Sequence, residues 1–114
     1  MRIGELATRS GVSVRALRYY EEQGLLIPER SPSGQRQYPD TAAELVRFFQ
    51  QMYAAGLTSK NIAELLTCYD AGHTDEGQRR MLRAERDRIR ERVAQLQAVL
   101  HRLDEVIAIT DTHP

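Results

Sequence analysis

The C-terminal third of the chain repeats apolar residues at the spacing of a coiled coil. Successive members lie seven, four, three, four, three and four residues apart, and we call this set the seam: Leu82, Ile89, Val93, Leu96, Leu100, Leu103 and Ile107. Such a heptad pattern predicts a helix over residues 75–109, on the order of 50 Å long at ~1.5 Å per residue. A small domain cannot bury so long a seam. We therefore expect a second copy of the chain as partner, and packing onto the chain's own domain is the alternative.

The N-terminal segment has the pattern of a helix-turn-helix. Ile3 to Arg9 is typical of a short amphipathic helix, and Gly11 supplies the tight turn that follows. Ser13 is suited to cap a second helix, predicted from Val14 to Gln23, and Gly24 ends that helix. Two short helices joined by a glycine-containing turn predict a helix-turn-helix.

The second helix, which contains the stretch RALRYY, has two different faces. Residues at every third position predict its inward face: Val14, Leu17 and Tyr20. The other face carries charged and aromatic side chains at helical spacing: Arg15, Arg18, Tyr19 and Glu22. Guanidinium and phenol groups on an exposed helix suit the phosphates and guanine edges of DNA. The alternative is a solvated helix with an ion pair between Arg18 and Glu22.

Residues 25–40 are punctuated by proline and glycine, which indicates extended arms and a turn instead of a helix. Two short arms around the stretch SPSG would form a small hairpin, with Arg30 and Arg36 flanking its tip. A basic hairpin that follows a recognition helix is typical of a wing. The alternative is a plain surface loop.

Two more helices are predicted before the long one. The third runs from Thr41 to Ala55, is capped by Asp40, and has an inward stripe of Leu45, Phe48, Phe49 and Met52. The fourth runs from about Ser59 to Tyr69, is capped by Thr58, and has a stripe of Ile62, Leu65 and Leu66. The expected organisation is a DNA-binding domain (1–70), a hinge (71–74), a dimerisation helix (75–109) and a short tail (110–114).

Composition excludes several classes of protein. The formal net charge is zero, although residues 1–39 hold six arginines against four glutamates. The single cysteine, Cys68, excludes an intrachain disulfide and a site built from several thiolates of one chain. No apolar run of about 18 residues is present, and the first residues lack the apolar core of a signal peptide, so we expect a cytoplasmic protein. No catalytic set or phosphate-cradling loop is evident, and neither an enzyme nor a cofactor is expected.

Three stretches together resemble the MerR family of bacterial transcription regulators: IGELATRSGVSVRALRYYEEQGLL, ERSPSGQRQYP and AAGLTSKNIAELL. The resemblance implies an all-α fold with a winged helix-turn-helix and a long dimerisation helix. It also implies a homodimer joined by an antiparallel coiled coil and bound to a pseudo-palindromic operator in a promoter spacer. Such a dimer controls transcription by distorting the DNA, and RNA polymerase responds to the altered promoter.

The resemblance also implies which residues meet the DNA. These are Ser13, Arg15, Arg18, Tyr19 and Tyr20 from the start and body of the second helix, with Arg36 and Tyr38 from the wing. For Tyr20 the spacing favours a mostly inward position, and for Tyr38 packing is the alternative role. Two positions depart from the family pattern: Gln35 stands where a wing tyrosine is usual, and Ala16 where threonine is common. Both departures bear on affinity and sequence preference.

The nature of an activating signal is left open by the sequence. Cys68 is either a small apolar packing residue or a reactive thiol that senses aldehydes or oxidants. Cys68 and His73, with His113 of a partner chain, would form at most a weak site for a soft cation, and no metal is expected. A repressor or architectural DNA binder without an effector is a third option. The alternative from another class is a coiled-coil module that binds protein instead of DNA.

Overall fold

The structure is a computed structural model that describes residues 1–113, and it divides into a unit over Met1–Asp75 and a second that begins at Glu76. Helix α1 spans Ile3–Ser10, and helix α2 spans Val14–Glu22. Gly11 adopts a φ of 74° between them, and the Ser13 Oγ accepts a hydrogen bond of 3.1 Å from the Ala16 N–H. The predicted helix-turn-helix is confirmed, including its turn and its cap.

The wing is also present. Strand β1, Glu29–Arg30, pairs antiparallel with strand β2, Arg36–Gln37, and Arg30 lies opposite Arg36. Between the strands, the Gly34 N–H donates to the Ser31 carbonyl at 2.8 Å. The hairpin therefore carries its two arginines directly across from one another.

Helix α3, Ala42–Ala54, corrects two details of the prediction. Thr41 occupies the cap position, whereas the Asp40 carboxylate lies 3.6 Å from the Arg9 guanidinium. The chain turns into α3 through a hydrogen bond from the Ala42 N–H to the Pro39 carbonyl, so Asp40 lies outside the helix start. The buried residues of α3 are Ala42, Ala43, Val46 and Phe49, whereas three residues of the predicted stripe are only half-buried: Leu45, Phe48 and Met52.

Helix α4 spans Ser59–Ala71 and has the predicted cap. The Asn61 N–H donates to the Thr58 Oγ1 at 3.1 Å, and the Thr58 N–H donates to the Asn61 side chain at 3.2 Å. This reciprocal pair satisfies two amides that a helix start otherwise leaves unpaired. The helix extends two residues beyond the predicted end, into the expected hinge, and stops at Gly72 with a φ of 77°.

The core of the first unit lies where α1 packs on α2 and α3, and α3 packs on α4. Its fully buried side chains come from every helix of this unit and from the residue after the wing: Leu6, Leu17, Tyr38, Val46, Phe49 and Ile62. Burying a side chain of this size stabilises a fold by roughly 1.5–3 kcal/mol relative to exposure. The recognition helix and the wing thus share a single core.

Helix α5 spans Glu76–Thr112, a length of 37 residues, and continues three residues past the predicted end at Ile109. At ~1.5 Å per residue it is about 55 Å long. Leu82 and Ile89 are half-buried, but the seam from Val93 onward is exposed: Val93, Leu96, Leu100, Leu103 and Ile107. Within residues 1–113, no helix combines the length and the apolar character needed to cross a membrane.

We predict that alanine has opposite effects on the free energy of unfolding at two glycines of the helix-turn-helix. Gly11→Ala should lower the free energy of unfolding by roughly 1 kcal/mol, because its φ of 74° strains a residue with a Cβ although the space around it is open. Gly4→Ala, in the helical part of α1 and equally unobstructed, should raise it by about 0.5–1 kcal/mol. Urea unfolding of both variants measures the difference, and equal effects would contradict the assigned turn.

Candidate nucleic-acid interface

The outward face of α2 carries Arg15, Arg18 and Tyr19, all exposed. In the described part of the chain, neither arginine forms an ion pair, so the alternative pairing of Arg18 with Glu22 is not observed. Two guanidinium groups one helical turn apart are thus presented to solvent, and Glu22, which shares their face, pairs with neither of them in the described residues. This is the arrangement expected for contact with an anionic polymer.

Tyr19 is held in place by aromatic neighbours. Its ring centroid lies 6.3 Å from that of Tyr20 and 6.1 Å from that of Tyr53, while 45% of its surface is exposed. Packing on one edge limits the conformations of the side chain and leaves the rest of the ring available to a partner. The Tyr19 side chain is therefore partly ordered in the free chain.

Tyr20 points inward, as its spacing predicts. It is 6% exposed, stacks on Tyr53 with ring centroids 5.7 Å apart, and meets the ring of Phe49 edge-on at 5.6 Å. Burial, and secondarily the nearby Tyr53, raise the pKa of the Tyr20 phenol above its usual 10. Its main contribution is to join the recognition helix to α3.

A largely buried carboxylate links the wing to the recognition helix. The Tyr38 hydroxyl donates to the Glu21 carboxylate, and the Arg36 guanidinium lies 3.6 Å from the other oxygen of that carboxylate. Only 12% of the Glu21 side chain is exposed. Because α2 contributes the carboxylate and the wing contributes both partners, this cluster of Glu21, Arg36 and Tyr38 fixes the wing beside α2. We call it the wing lock.

Tyr38 is a packing residue in this structure. Its side chain is only 2% exposed. This burial agrees with the packing role that the sequence left as an alternative, and it leaves too little surface for a direct DNA contact. Burial raises the pKa of Tyr38 to about 12, with further contributions from the hydrogen bond and charge of Glu21, partly offset by Arg36 and Arg18. The phenol therefore stays protonated and keeps donating to Glu21 throughout the neutral range.

Arginines from three parts of the chain line an open cleft beside the wing lock. The cleft has a volume of about 430 Å³ and is lined by Arg18 of α2, Arg30 and Arg36 of the wing, and Arg2 at the start of α1. Arg2 was not predicted as a site residue. It is brought here because the Tyr38 N–H donates to the Met1 carbonyl at 2.7 Å, a pairing between distant segments that no local sequence pattern indicates.

Ser13 lies at the start of α2 and is exposed. Its Oγ accepts from the Ala16 N–H, so its own hydroxyl proton is still available to a phosphate oxygen. Ala16 itself is half-buried and offers only this backbone donor, which the serine satisfies.

The candidate sensor Cys68 and the candidate metal ligand His73 lie at the end of α4 and just after it. Cys68 is a free, half-buried thiol in the C-terminal part of α4, and His73 follows that helix in an exposed position. Across residues 1–113, no group of three or more His, Cys, Asp or Glu side chains is arranged to hold a metal ion.

Two family models match the chain. One, described as MerR HTH family regulatory protein, matches residues 1–67, and the other, described as MerR, DNA binding, matches residues 44–106. The chain belongs to the MerR family. This family consists of DNA-binding transcription regulators and is non-enzymatic.

Individual relatives support the same placement. The HTH-type transcriptional regulator HmrR of Rhizobium leguminosarum bv. viciae is 39% identical over 70 residues, which cover 61% of this chain. The chain spans 54% of the length of that relative. The mercuric resistance operon regulatory protein of Pseudomonas fluorescens is 34% identical over 105 residues, which cover 89% of this chain and 72% of that protein.

Solved structures share the fold. The transcription regulator PbrR691 from Ralstonia metallidurans CH34, in complex with lead(II), has a TM-score of 0.80 and 30% identity, covering 92% of this chain and 84% of its own. HiNmlR, a MerR family regulator lacking the sensor domain and bound to promoter DNA, has a TM-score of 0.60 at 24% identity, covering 88% and 77%. The second likeness concerns the fold alone.

We predict a distinct alkaline signature for the wing lock. Because the folded pKa of Tyr38 is about 12 and the unfolded value is close to 10, its contribution to stability is complete below pH 10 and is lost as the pH rises towards 12. Tyr38→Phe should therefore be less stable at pH 8, and its unfolding free energy should fall less steeply than that of the parent between pH 10 and 12. Urea titrations across this range make the comparison, and parallel pH profiles would contradict the assignment.

Proposed function

We propose that the chain acts as a homodimer that binds a pseudo-palindromic operator within a promoter spacer and controls transcription by distorting that DNA. Each recognition helix α2 enters a major groove, where Arg15, Arg18 and Tyr19 make the contacts. Arg36 of the wing reaches the adjacent backbone. RNA polymerase responds indirectly, through the altered relation of the two promoter elements.

The observation that carries this proposal is the unpaired cationic and aromatic face of α2, placed beside a basic wing. In the described residues, Arg15 and Arg18 form no ion pair with Glu22 on their own face, and the wing lock holds Arg36 on the adjoining surface. A surface of this kind gains free energy when it displaces counterions from DNA.

Dimerisation is supported by the exposed part of the seam. Leu96 is 67% exposed and Leu100 is 58% exposed, in a row of five such residues along α5. A continuous apolar stripe of this length is typical of a protein interface and is rarely left in water by a monomeric protein. A two-fold dimer presents two identical recognition helices, which matches the two-fold symmetry of a palindromic operator.

A footprint on the DNA upstream of the chain's own gene tests the proposal as a whole. We expect protection of two half-sites about 34–36 Å apart, one helical turn of DNA, between the two promoter elements. Circular-permutation gels should show a bend centred between the half-sites. If no duplex of any sequence is bound at low salt, a protein-interaction module is the better description.

We predict that Arg18→Ala weakens binding to all duplexes by similar factors, about a hundredfold, because a dimer loses two charge-assisted hydrogen bonds of ~1.5 kcal/mol each. The slope of log K against log salt should become shallower by roughly 1.8, since a dimer loses two phosphate contacts at about 0.9 each. Fluorescence anisotropy at several salt concentrations measures both quantities. The matched control is Arg102→Ala, which removes the same charge from an exposed position of α5. A loss confined to one base position would make Arg18 a base-reading residue instead.

We predict that Leu100→Asp converts the dimer to monomers and abolishes operator binding, because it places a charge in the seam. The loss of two buried leucines should weaken the dimer by at least about a hundredfold at roughly 1.5–3 kcal/mol for each side chain. Ala98→Asp is the matched control, since it introduces the same group about 200° around the helix from Leu100, on an exposed face. Sedimentation equilibrium that shows an intact Leu100→Asp dimer would contradict the assignment of the seam.

A further inference from the structure

We propose that Arg2 is a further DNA-contacting residue, held by Gln35 of the wing so that its guanidinium meets a backbone phosphate of the operator. The inference rests on the proposed function and adds to it a contact from outside the helix-turn-helix and the wing.

The first step is the hydrogen bond between the two side chains. The Arg2 Nη2 donates to the Gln35 Oε1 at 2.5 Å, and both residues are exposed. The Gln35 backbone is independently fixed, because its N–H donates to the Ser31 Oγ at 3.2 Å and its carbonyl accepts from the Ser31 N–H at 2.8 Å. An amide oxygen on a fixed loop therefore orients the arginine without neutralising its charge.

The second step is the charge around that hydrogen bond. Arg2 lines the cleft together with Arg18, Arg30 and Arg36, and no carboxylate lines it. The charge of Arg36 is balanced by Glu21, and Arg30 donates to the Gly34 carbonyl at 3.0 Å. In the described residues, the other two arginines of the cleft, Arg2 and Arg18, have neither a carboxylate nor a backbone carbonyl as partner. Four guanidinium groups around one opening repel one another in the free protein, and a phosphate removes that repulsion.

The third step is geometric. Arg18 lies on the DNA-facing side of α2 and Arg36 on the wing, and the cleft joins them. A phosphate that meets Arg18 at this opening therefore lies at the mouth of the same cleft as Arg2. Since a guanidinium presents five N–H donors, Arg2 keeps donors for a phosphate while one of them stays on Gln35.

Two substitutions of Arg2, to glutamine and to lysine, separate the effect of its charge from that of its guanidinium group. Arg2→Gln should make the salt slope on a random-sequence duplex shallower by roughly 1.8 per dimer, as for any lost pair of phosphate contacts. Arg102→Gln, which removes the same charge from α5, should leave the slope unchanged. Arg2→Lys should retain the slope because it retains the charge. Thermal unfolding of each variant confirms that the fold is intact.

The contacted phosphate is located by scanning single methylphosphonate linkages, which are uncharged, through the DNA segment protected in the footprint. One linkage in each half-site should weaken the parent protein several-fold and have no effect on Arg2→Gln. Gln35→Ala should weaken the parent and have no further effect in the Arg2→Gln background. If Gln35→Ala weakens both, glutamine contacts the DNA itself and its positioning role is wrong.

The inference fails if Arg2→Gln and Arg102→Gln have the same salt slope, or if no methylphosphonate position distinguishes Arg2→Gln from the parent. These outcomes differ from failure of the proposed function, in which the unmodified chain binds no duplex at low salt.

Discussion

The contacts of the Glu21 carboxylate are the interaction on which the rest of the candidate nucleic-acid interface depends. Glu21 lies on α2 one turn after Arg18, yet both of its partners, Tyr38 and Arg36, belong to the end of the wing. A hairpin whose strands have only two residues each has little stability of its own, because short isolated hairpins are marginally stable in water. The buried carboxylate converts two separate cationic elements into one surface of defined shape. Its own charge is balanced by the arginine that it positions.

The chain as a whole is electrically neutral, and this makes the local placement of charge more important. A uniformly basic protein attracts DNA from a distance through its total charge. Here a few guanidinium groups are gathered around α2, the wing and the first residues, while sixteen acidic residues balance the chain overall. At physiological salt the screening length is about 8 Å, so the electrostatic attraction of such a surface acts only on a partner in close contact. We therefore expect affinity for DNA to depend on the positions of individual arginines, which the wing lock and Gln35 hold.

Helical periodicity was sufficient to predict the faces of α2, since the inward residues Leu17 and Tyr20 are buried and Arg15 and Arg18 are exposed. The predicted cap of α3 is wrong, because the Ala42 N–H bonds to the Pro39 carbonyl and the resulting turn leaves Asp40 outside the helix start. Composition does not reveal such a turn. The place of Arg2 in the cleft was also beyond local patterns. Its partner Gln35 lies 33 residues away, and the two meet only after the wing pairs with the first residue of the chain.

The exposed apolar surface of α5 is wider near its C-terminus than a two-position seam requires. Val99 and Val106 each precede a seam residue and are 61% and 53% exposed, whereas Arg86 interrupts the pattern in the first half. In the proposed antiparallel dimer, the wider apolar surface of the C-terminal half favours pairing of the two C-terminal halves, with Leu96 and Leu100 near the two-fold axis. Sliding the helices by one heptad relative to each other, each towards the N-terminus of its partner, would place Arg86 opposite the apolar seam residue Leu103. In the proposed dimer, we therefore expect the apolar pattern to set the register of the two helices, and with it the spacing of the half-sites that one dimer can reach.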